Sequence, residues 1–421
     1  MRESVGRAVQ SQIYRDGVYG RKPAVPVAAA ALRDAAHRRL SKRALGYVAG
    51  SAGLETTATA NRAAFDAWRV VPHILTDVSE RDLGVDLFGR RRPTPYLLAP
   101  IGVLDLVHPE ADLAVARAAT DAGVPMIVSS QASTPMEDIA AAIGGGSWWF
   151  QLYWSREDAL MESFVSRAEK AGAEAIVVTL DTHLLGWRPR DLDDAYLPFA
   201  FGRGIAQYTS DPVFTALVRE RATRPRTTQR PTLAALSALA SIARHHPGGF
   251  WTNLRSPLPR AAVETFLDVF SRPTLTWDDL EKLRQHTTLP ILLKGVLHPD
   301  DAVRAVDSGV DGIVVSNHGG RQIDGAIASL EALPRVVTAV EDAIPVLFDS
   351  GIRGGADAYK ALALGAHAVC LGRPYVYGLT LAGTIGVRQV LSHFIAELDL
   401  TLGLSGCTSI PDITRDTLRA V

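Results

Sequence analysis

Residues 311–320, DGIVVSNHGG, are a short apolar run that breaks into polar side chains and then glycines. A strand buried on both faces needs a run of this kind, whereas a half-exposed strand would alternate apolar with polar. The same design recurs in both directions. Toward the C-terminus stand IPVLFDSG from Ile344 and HAVCLGRP from His367. Toward the N-terminus stand LPILLKGV from Leu289, AEAIVVTLDT from Ala173, WWFQLYW from Trp148, VPMIVSS from Val124 and PYLLAPIG from Pro95. That makes eight runs, and helically spaced Ala, Leu and Val fill most of the gaps. Strict strand–helix alternation gives parallel pairing through right-handed crossovers, and eight such units close into an α/β (β/α)8 TIM barrel.

The segments between the runs carry helix punctuation. Pro109 and Glu110 open an Ala-rich stretch ending at Gly123, and Arg156 to Gly172 repeats apolar residues at three and four, each stopping at a glycine suited to a left-handed cap. One gap is too long for a barrel loop. Residues 183–288 follow the fourth run and are expected to form a lid insertion. Within it RERATRPRTTQR from Arg219 has many arginines and no aromatics, which predicts a solvated, flexible segment rather than a nucleic-acid surface. Residues 1–94 are expected to be a helical extension that closes the barrel bottom or reaches its rim. The chain is therefore expected to form a single domain over 1–421, with the barrel over about 95–398.

Composition bounds the rest. With 44 Lys plus Arg against 45 Asp plus Glu, nothing steers a polyanion, and 47% hydrophobic residues in 421 supply a large core. No run approaches the ~18 apolar residues of a membrane span, and the first twenty residues lack a secretory signal's apolar core. A cytoplasmic protein without membrane or nucleic-acid partners is expected. Cys370 and Cys407 have neither disulfide nor zinc spacing, so buried thiols and no metal site are expected.

Catalytic groups in such barrels collect at the C-terminal ends of the strands. Those positions hold Ser129, Ser130 and Gln131, then Gln151 and Tyr153, Thr179 and Asp181, and Lys294. The sixth run supplies Ser316, Asn317, His318 and Arg321, the seventh Asp349, Gly351 and Arg353, and the eighth Gly372 and Arg373. DSGIRGG and LGRP are glycine-rich turns with arginines at the two positions where barrels commonly bind phosphate, so a phosphorylated ligand is expected. Neither GxGxxG opening a first βα unit nor GxxxxGK[ST] occurs, which disfavours a dinucleotide or P-loop site and leaves a mononucleotide open. His318 is the candidate base, with Asp181 placed to hold one ring nitrogen.

SNHGGRQ, Ser316 to Gln322, resembles the active-site signature of the FMN-dependent α-hydroxy-acid oxidoreductases, the glycolate oxidase, lactate oxidase and mandelate dehydrogenase family. APIG at Ala99, FQLY at Phe150, TLDT at Thr179, LLKG at Leu292, FDSGIRGGAD at Phe348 and LGRPY at Leu371 follow in the family's order, so the resemblance covers the chain from about Tyr47 onward. GYVAGSAG from Gly46, GWRPRDLD from Gly186 and YTSDPVF from Tyr208 look most like lactate 2-monooxygenase.

The resemblance implies FMN across the barrel top, with Arg353, Gly372 and Arg373 on its phosphate, Gly351 in the adjoining turn and Asp349 on the ribityl hydroxyls. Ser129, Gln151 and Thr179 would bond the isoalloxazine, the backbone of Ala99, Pro100, Ile101 and Gly102 would run along its face, and Lys294, beside Ser316, would lie near its N1 edge. Arg188 and Arg321 would clamp a substrate carboxylate with Tyr47 and Tyr153. His318 would take the 2-hydroxyl proton as hydride leaves Cα, or the Cα proton first; these residues do not separate the two orders. The implied activity is oxidation of a small, lactate-like L-2-hydroxy acid to the 2-keto acid with electrons passed to O2, as oxidase or as decarboxylating monooxygenase, in a homotetramer or larger assembly. Gly102 stands where many relatives carry alanine, suggesting a methyl removed beside the flavin. Gln131 replaces a bulky apolar or aromatic residue and His183 a proline or tryptophan, which points to a more polar or larger acid. Two other readings remain: a sugar-phosphate lyase or isomerase using Lys294, and a flavin-binding scaffold without turnover.

Overall fold

The computed structural model describes residues 4–224 and 232–421. All eight apolar runs are strands: Tyr96–Leu98, Met126–Val128, Trp148–Leu152, Ile176–Thr179, Ile291–Val296, Gly312–Val315, Val346–Phe348 and Ala368–Leu371. Each pairs in parallel with its sequence neighbours, and the eighth closes on the first through Val369–Tyr96, Cys370–Leu97 and Leu371–Leu98, giving a closed (β/α)8 barrel. Every strand is buried over nearly its whole length, as continuous apolar runs require. The register is regular except between the fifth and sixth strands, where it shifts between Lys294 and Val296. Gly295 is the bulged residue, with φ +109°.

Helix Ala111–Ala122 ends at Gly123 in the left-handed region, and Asp158–Lys170 is followed by Gly172 with φ +87°, as the glycine punctuation predicts. A helical segment, Arg373–Leu404, broken by a kink at Ala382 and Gly383, begins directly after the eighth strand. Both cysteines are buried free thiols. Among the described residues no helix is long and apolar enough to cross a membrane.

The extension contributes elements at both ends of the barrel. A hairpin, Val85–Leu87 with Arg90–Arg92, closes the bottom instead of helices. Its turn residue Phe88 meets Trp149 edge-to-face at 5.5 Å and lies under Gly312, at the N-terminal ends of the strands. Helices Lys42–Ala49 and Thr56–Asp66 reach the rim. Asn61 and Asn317 exchange amide hydrogen bonds of 2.8 and 2.7 Å, fixing the second of these helices to the end of the sixth strand.

The insertion after the fourth strand is helical. Pro212–Ala222, Leu233–His245, Phe250–Arg255, Leu258–Val269 and Asp279–His286 are all helices. Arg219 to Ala222 therefore belongs to an ordered helix, not a flexible segment, and Arg221 bonds Asp268 across the insertion. The rest of the arginine-rich stretch includes residues 225–230, which lie outside the described residues.

Candidate active site

The strand ends open into a cleft that, counted together with the open solvent at its mouth, spans about 1130 Å³. Its lining includes Tyr47, Ala99 to Gly102, Ser129, Tyr153, Arg188, Lys294, His318, Arg321, Asp349, Gly351, Arg353, Gly372 and Arg373, so most of the predicted set converges on one space. Gln151, Thr179 and Ser316 are buried behind this wall. Ser129 Oγ donates to Gln151 Oε1 at 3.0 Å and Gln151 Nε2 donates to Thr179 Oγ1 at 3.1 Å, a hydrogen-bonded row with Ser129 at its cavity end.

The backbone at residues 318–320 aims the imidazole. His318, Gly319 and Gly320 all have positive φ, at 57°, 66° and 78°, an arrangement that costs on the order of 1 kcal/mol at the histidine. Glycine is required next to it because a Cβ at 319 would lie 2.8 Å from Arg373 Nη1 and one at 320 would lie 2.7 Å from Ala58 N. His318 Nδ1 lies 2.8 Å from Asp181 Oδ1, and Thr182 Oγ1 donates to the same carboxylate oxygen at 2.9 Å. Asp181 sits two residues beyond its strand and caps no helix.

Burial lowers the His318 pKa more than the Asp181 charge raises it, with Lys294 and Arg188 lowering it further. The ring is therefore neutral at neutral pH. Its Nδ1 proton goes to Asp181, which leaves Nε2 as the basic nitrogen toward the cleft. Burial would raise Asp181, but the charge His318 takes on at low pH, the Lys294 charge and the bonds from His318 and Thr182 hold it down at about 2. Lys294 Nζ lies 3.0 Å from Asp349 Oδ2 and donates to Ser316 Oγ at 2.7 Å. Burial would lower its pKa, yet Asp349 and Asp181 outweigh that and keep the ammonium charged.

Four arginines face the cleft without an ion pair among the described residues. Arg188 donates from Nε to Arg321 O at 3.1 Å and from Nη2 to Gln322 Oε1 at 2.7 Å. Arg321 donates to the carbonyls of Tyr47 and Gly50 and stands over the Tyr47 ring. Arg373 donates to Val48, Gly319 and Gly50 carbonyls at 3.0 Å and to Ser51 Oγ at 3.1 Å. Arg353 Nη1 donates to Ile352 O. Burial, then neighbouring arginines, bring Arg188 down to about 10 and Arg373 to about 9, and burial lowers Arg353 too. Buried cations held only by neutral acceptors are costly unless an anion joins them. The site is thus built for at least two anionic groups, one at Arg188 and Arg321, the other at Arg353 and Arg373.

The second position suits a phosphate. Arg373 is the first residue of a long helix, whose free N–H groups favour an anion, and a Cβ on Gly372 would meet only Ile101 Cδ1, at 3.8 Å. With backbone at residues 99–102, a buried ammonium and the Ser129 row in the same cleft, the residues present fit FMN.

Other residues of the site had no functional reading in the sequence. Gln322, inside the quoted SNHGGRQ, holds Arg188 and donates to Asp181 O at 2.7 Å. Ser350 accepts from Gly319 N at 3.0 Å and donates to Asp349 Oδ1 at 2.8 Å. Leu185, Phe199 and Phe270 form an apolar wall from the insertion, and no spacing in the sequence marks them. His183 is exposed, with Nδ1 3.1 Å from Leu180 O, and lies outside the cleft lining. The Gly102 expectation changes. A Cβ there would lie 2.7 Å from both Gln131 Cβ and Gln131 O, so packing against Gln131 accounts for the glycine.

The family model described as FMN-dependent dehydrogenase matches residues 36–420. An FMN-dependent alpha-hydroxy acid dehydrogenase of Penicillium citrinum is 40% identical over 413 residues, covering 98% of this chain and 95% of that one. An L-lactate oxidase of Lysinibacillus sphaericus is 41% identical over 398 residues, covering 93% and 92%. A solved structure of mandelate oxidase with (S)-4-hydroxymandelic acid superposes with a TM-score of 0.77 at 39% identity, covering 94% of this chain and 99% of that one.

Proposed function

The chain belongs to the FMN-dependent dehydrogenase family, and from that premise we propose that it oxidises an L-2-hydroxy acid to the 2-keto acid with molecular oxygen as electron acceptor. FMN, when bound, supplies the redox chemistry by taking up the two electrons of the substrate's Cα–H bond. Arg353, Gly372 and Arg373 would hold its phosphate, Asp349 its ribityl hydroxyls, and Ser129, Gln151 and Thr179 its polar ring edge. Lys294 would lie where reduction accumulates negative charge, and a preorganised cation there lowers the barrier by several kcal/mol.

Arg188 and Arg321 grip the substrate carboxylate, and each charge-assisted bond contributes about 1.5–3 kcal/mol. The phenols of Tyr47 and Tyr153 stay neutral donors, because burial pushes Tyr47 up to about 12 and raises Tyr153. With the carboxylate fixed, His318 Nε2 accepts a proton from the substrate, and Asp181 stabilises the resulting imidazolium. A base so placed contributes ~10²–10⁴ in rate.

The observation that carries this reading is the convergence of two unpaired guanidiniums and a neutral imidazole backed by a carboxylate on one cleft. The L-lactate and mandelate oxidases among its relatives support a 2-hydroxy acid as the substrate class. Since Gly102 is explained by packing, it does not by itself favour decarboxylation.

The test is to purify the protein, record its visible spectrum and add L-2-hydroxy acids, including lactate, without oxygen. A yellow protein that bleaches, then recovers in air with peroxide and keto acid formed, supports the reading. Release of the decarboxylated acid instead would make it a monooxygenase. Protein that cannot take up FMN, or stays yellow with every acid, would overturn the reading.

A further inference from the structure

The two carboxylate oxygens of Asp181 are treated unequally. Oδ2 is buried and has no hydrogen-bond partner among the described residues. The bonds to this carboxylate therefore all fall on Oδ1, one from His318 Nδ1 at 2.8 Å and one from Thr182 Oγ1 at 2.9 Å. A buried carboxylate oxygen without a donor is costly, so the two donors on Oδ1 carry the burden of holding the charge. Thr182 is itself buried, lines the cleft and places its hydroxyl 3.3 Å from His318 Nδ1. The mechanism above gives that hydroxyl no task.

A hydroxyl has one proton to give. Directed at Asp181 Oδ1, it draws negative charge from the oxygen that has to stabilise the imidazolium. Against burial, the Thr182 bond is one of the contacts that hold the Asp181 pKa down. A carboxylate already stabilised by one donor is a weaker partner for the other, so Thr182 opposes protonation of His318. Burial, Lys294 and Arg188 also oppose a charged ring, and Asp181 favours it. Arg321 stands on the same turn, and Arg373 Nη1 donates to Gly319 O at 3.0 Å. The Tyr153 phenol faces the Thr182 hydroxyl as well: burial and the Asp181 charge raise its pKa, and the bond with Thr182 lowers it. Thr182 is a neutral member of this set, so its hydroxyl can be removed without altering any charge.

We propose that Thr182 is a positioning residue that sets the basicity of His318 through Asp181. Its hydroxyl fixes Oδ1 against Nδ1 and, by sharing that oxygen, keeps the imidazole free of a proton at neutral pH. It takes no part in proton transfer itself. This inference rests on the 2-hydroxy-acid reading above, in which His318 is the base, and adds what tunes that base.

The test measures the pH dependence of kcat/KM, with the L-2-hydroxy acid that bleaches the flavin fastest, in the wild-type holoenzyme, Thr182→Val, Thr182→Ala and Thr182→Ser. Valine and alanine each remove the donor without changing charge, so Asp181 should hold the imidazolium more firmly and the acid limb should move up by about half a pH unit or more. Serine keeps the hydroxyl and should restore the wild-type limb. In an Asp181→Asn background Thr182→Val should move the limb little further, because both changes act through one carboxylate. In a Tyr153→Phe background it should move the limb as far as it does in the wild type, since the phenol does not carry the effect. A limb that stays put or moves down in both hydroxyl-free variants would overturn the role of Thr182. So would a serine variant that behaves like valine, or a loss of rate that is equal at every pH, which is what a packing role alone would give. Each of these outcomes leaves the 2-hydroxy-acid reading intact, whereas failure of every acid to reduce the flavin would remove that reading and this inference together.

Discussion

Gly295 and Asp181 are so closely packed that a Cβ on the glycine would lie 2.9 Å from the Asp181 Cβ and 3.1 Å from its backbone nitrogen. The glycine also has φ +109°, where an L side chain is strained. The bulge in the fifth strand thus makes the room in which Asp181 reaches His318, although Gly295 is not itself among the residues lining the cleft. Gly295→Ala should lower kcat at least about tenfold by displacing the carboxylate. Asp181→Asn should produce a loss of the same kind, and Gly295→Ala should add little to it, because two changes acting through one hydrogen bond are not additive. Stopped-flow reduction of the single and double variants checks this.

His318 gives the pH dependence a sign. Burial lowers its pKa, and the neutral ring is the active form, so kcat/KM should fall on the acid side with a limb below about 6.5. Asp181 is the group that raises this pKa, so Asp181→Asn should move the limb to lower pH while reducing the plateau. His318→Gln should keep the flavin spectrum yet reduce ~10²–10⁴ more slowly, with the acid limb gone. A limb that stays put in Asp181→Asn would show that another group controls it.

Much of this was legible because a parallel barrel writes itself locally. Each strand is a compact apolar run, and its last residues open onto the cleft, so His318, Lys294, Asp349 and Arg373 could be placed there by position alone. The hairpin under the barrel was less visible: Val85–Leu87 and Arg90–Arg92 are short, and what fixes them is Phe88 packing on Trp149, a contact between distant parts of the chain. The same holds for Asn61, placed by bonds to Asn317 and from Ser329 N that join distant parts of the chain. Phe199 and Phe270 came together through the tertiary packing of an insertion with no repeat. Gly102 misled in a different way, since sequence gives the absence of a methyl but not its direction.

The unpaired guanidiniums make a prediction about cofactor removal. Among the described residues Arg353 and Arg373 have no carboxylate partner, so the phosphate should supply much of the binding free energy. A ligand bound only by the native state stabilises by RT ln(1 + [L]/Kd), about 2.7 kcal/mol at a hundredfold excess over Kd. Apoprotein should therefore melt lower than holoenzyme, and riboflavin, which carries the same ring without the phosphate, should restore far less of the difference than FMN at equal concentration. Equal rescue by the two would show that the arginines do not hold the phosphate. Differential scanning fluorimetry reads the comparison directly.

Asp112 tests the scaffold behind the Gln131 turn. It is 1% exposed and accepts from Ser133 N at 2.8 Å through Oδ2, and among the described residues its buried Oδ1 has no hydrogen-bond partner. Burial pushes its pKa up to about 7, against the lowering effect of its backbone hydrogen bonds. The sign follows from proton counting. Between about pH 4 and pH 7 the unfolded chain releases this proton and the native state retains it, so stability falls across that window as pH rises. Asp112→Asn removes the ionisation and leaves its amide oxygen able to accept from Ser133. Relative to the wild type, the variant should therefore gain on the order of 1–3 kcal/mol between about pH 4.5 and pH 8. A melting-temperature difference between the two proteins that does not change with pH would mean that Asp112 is not held protonated by its burial.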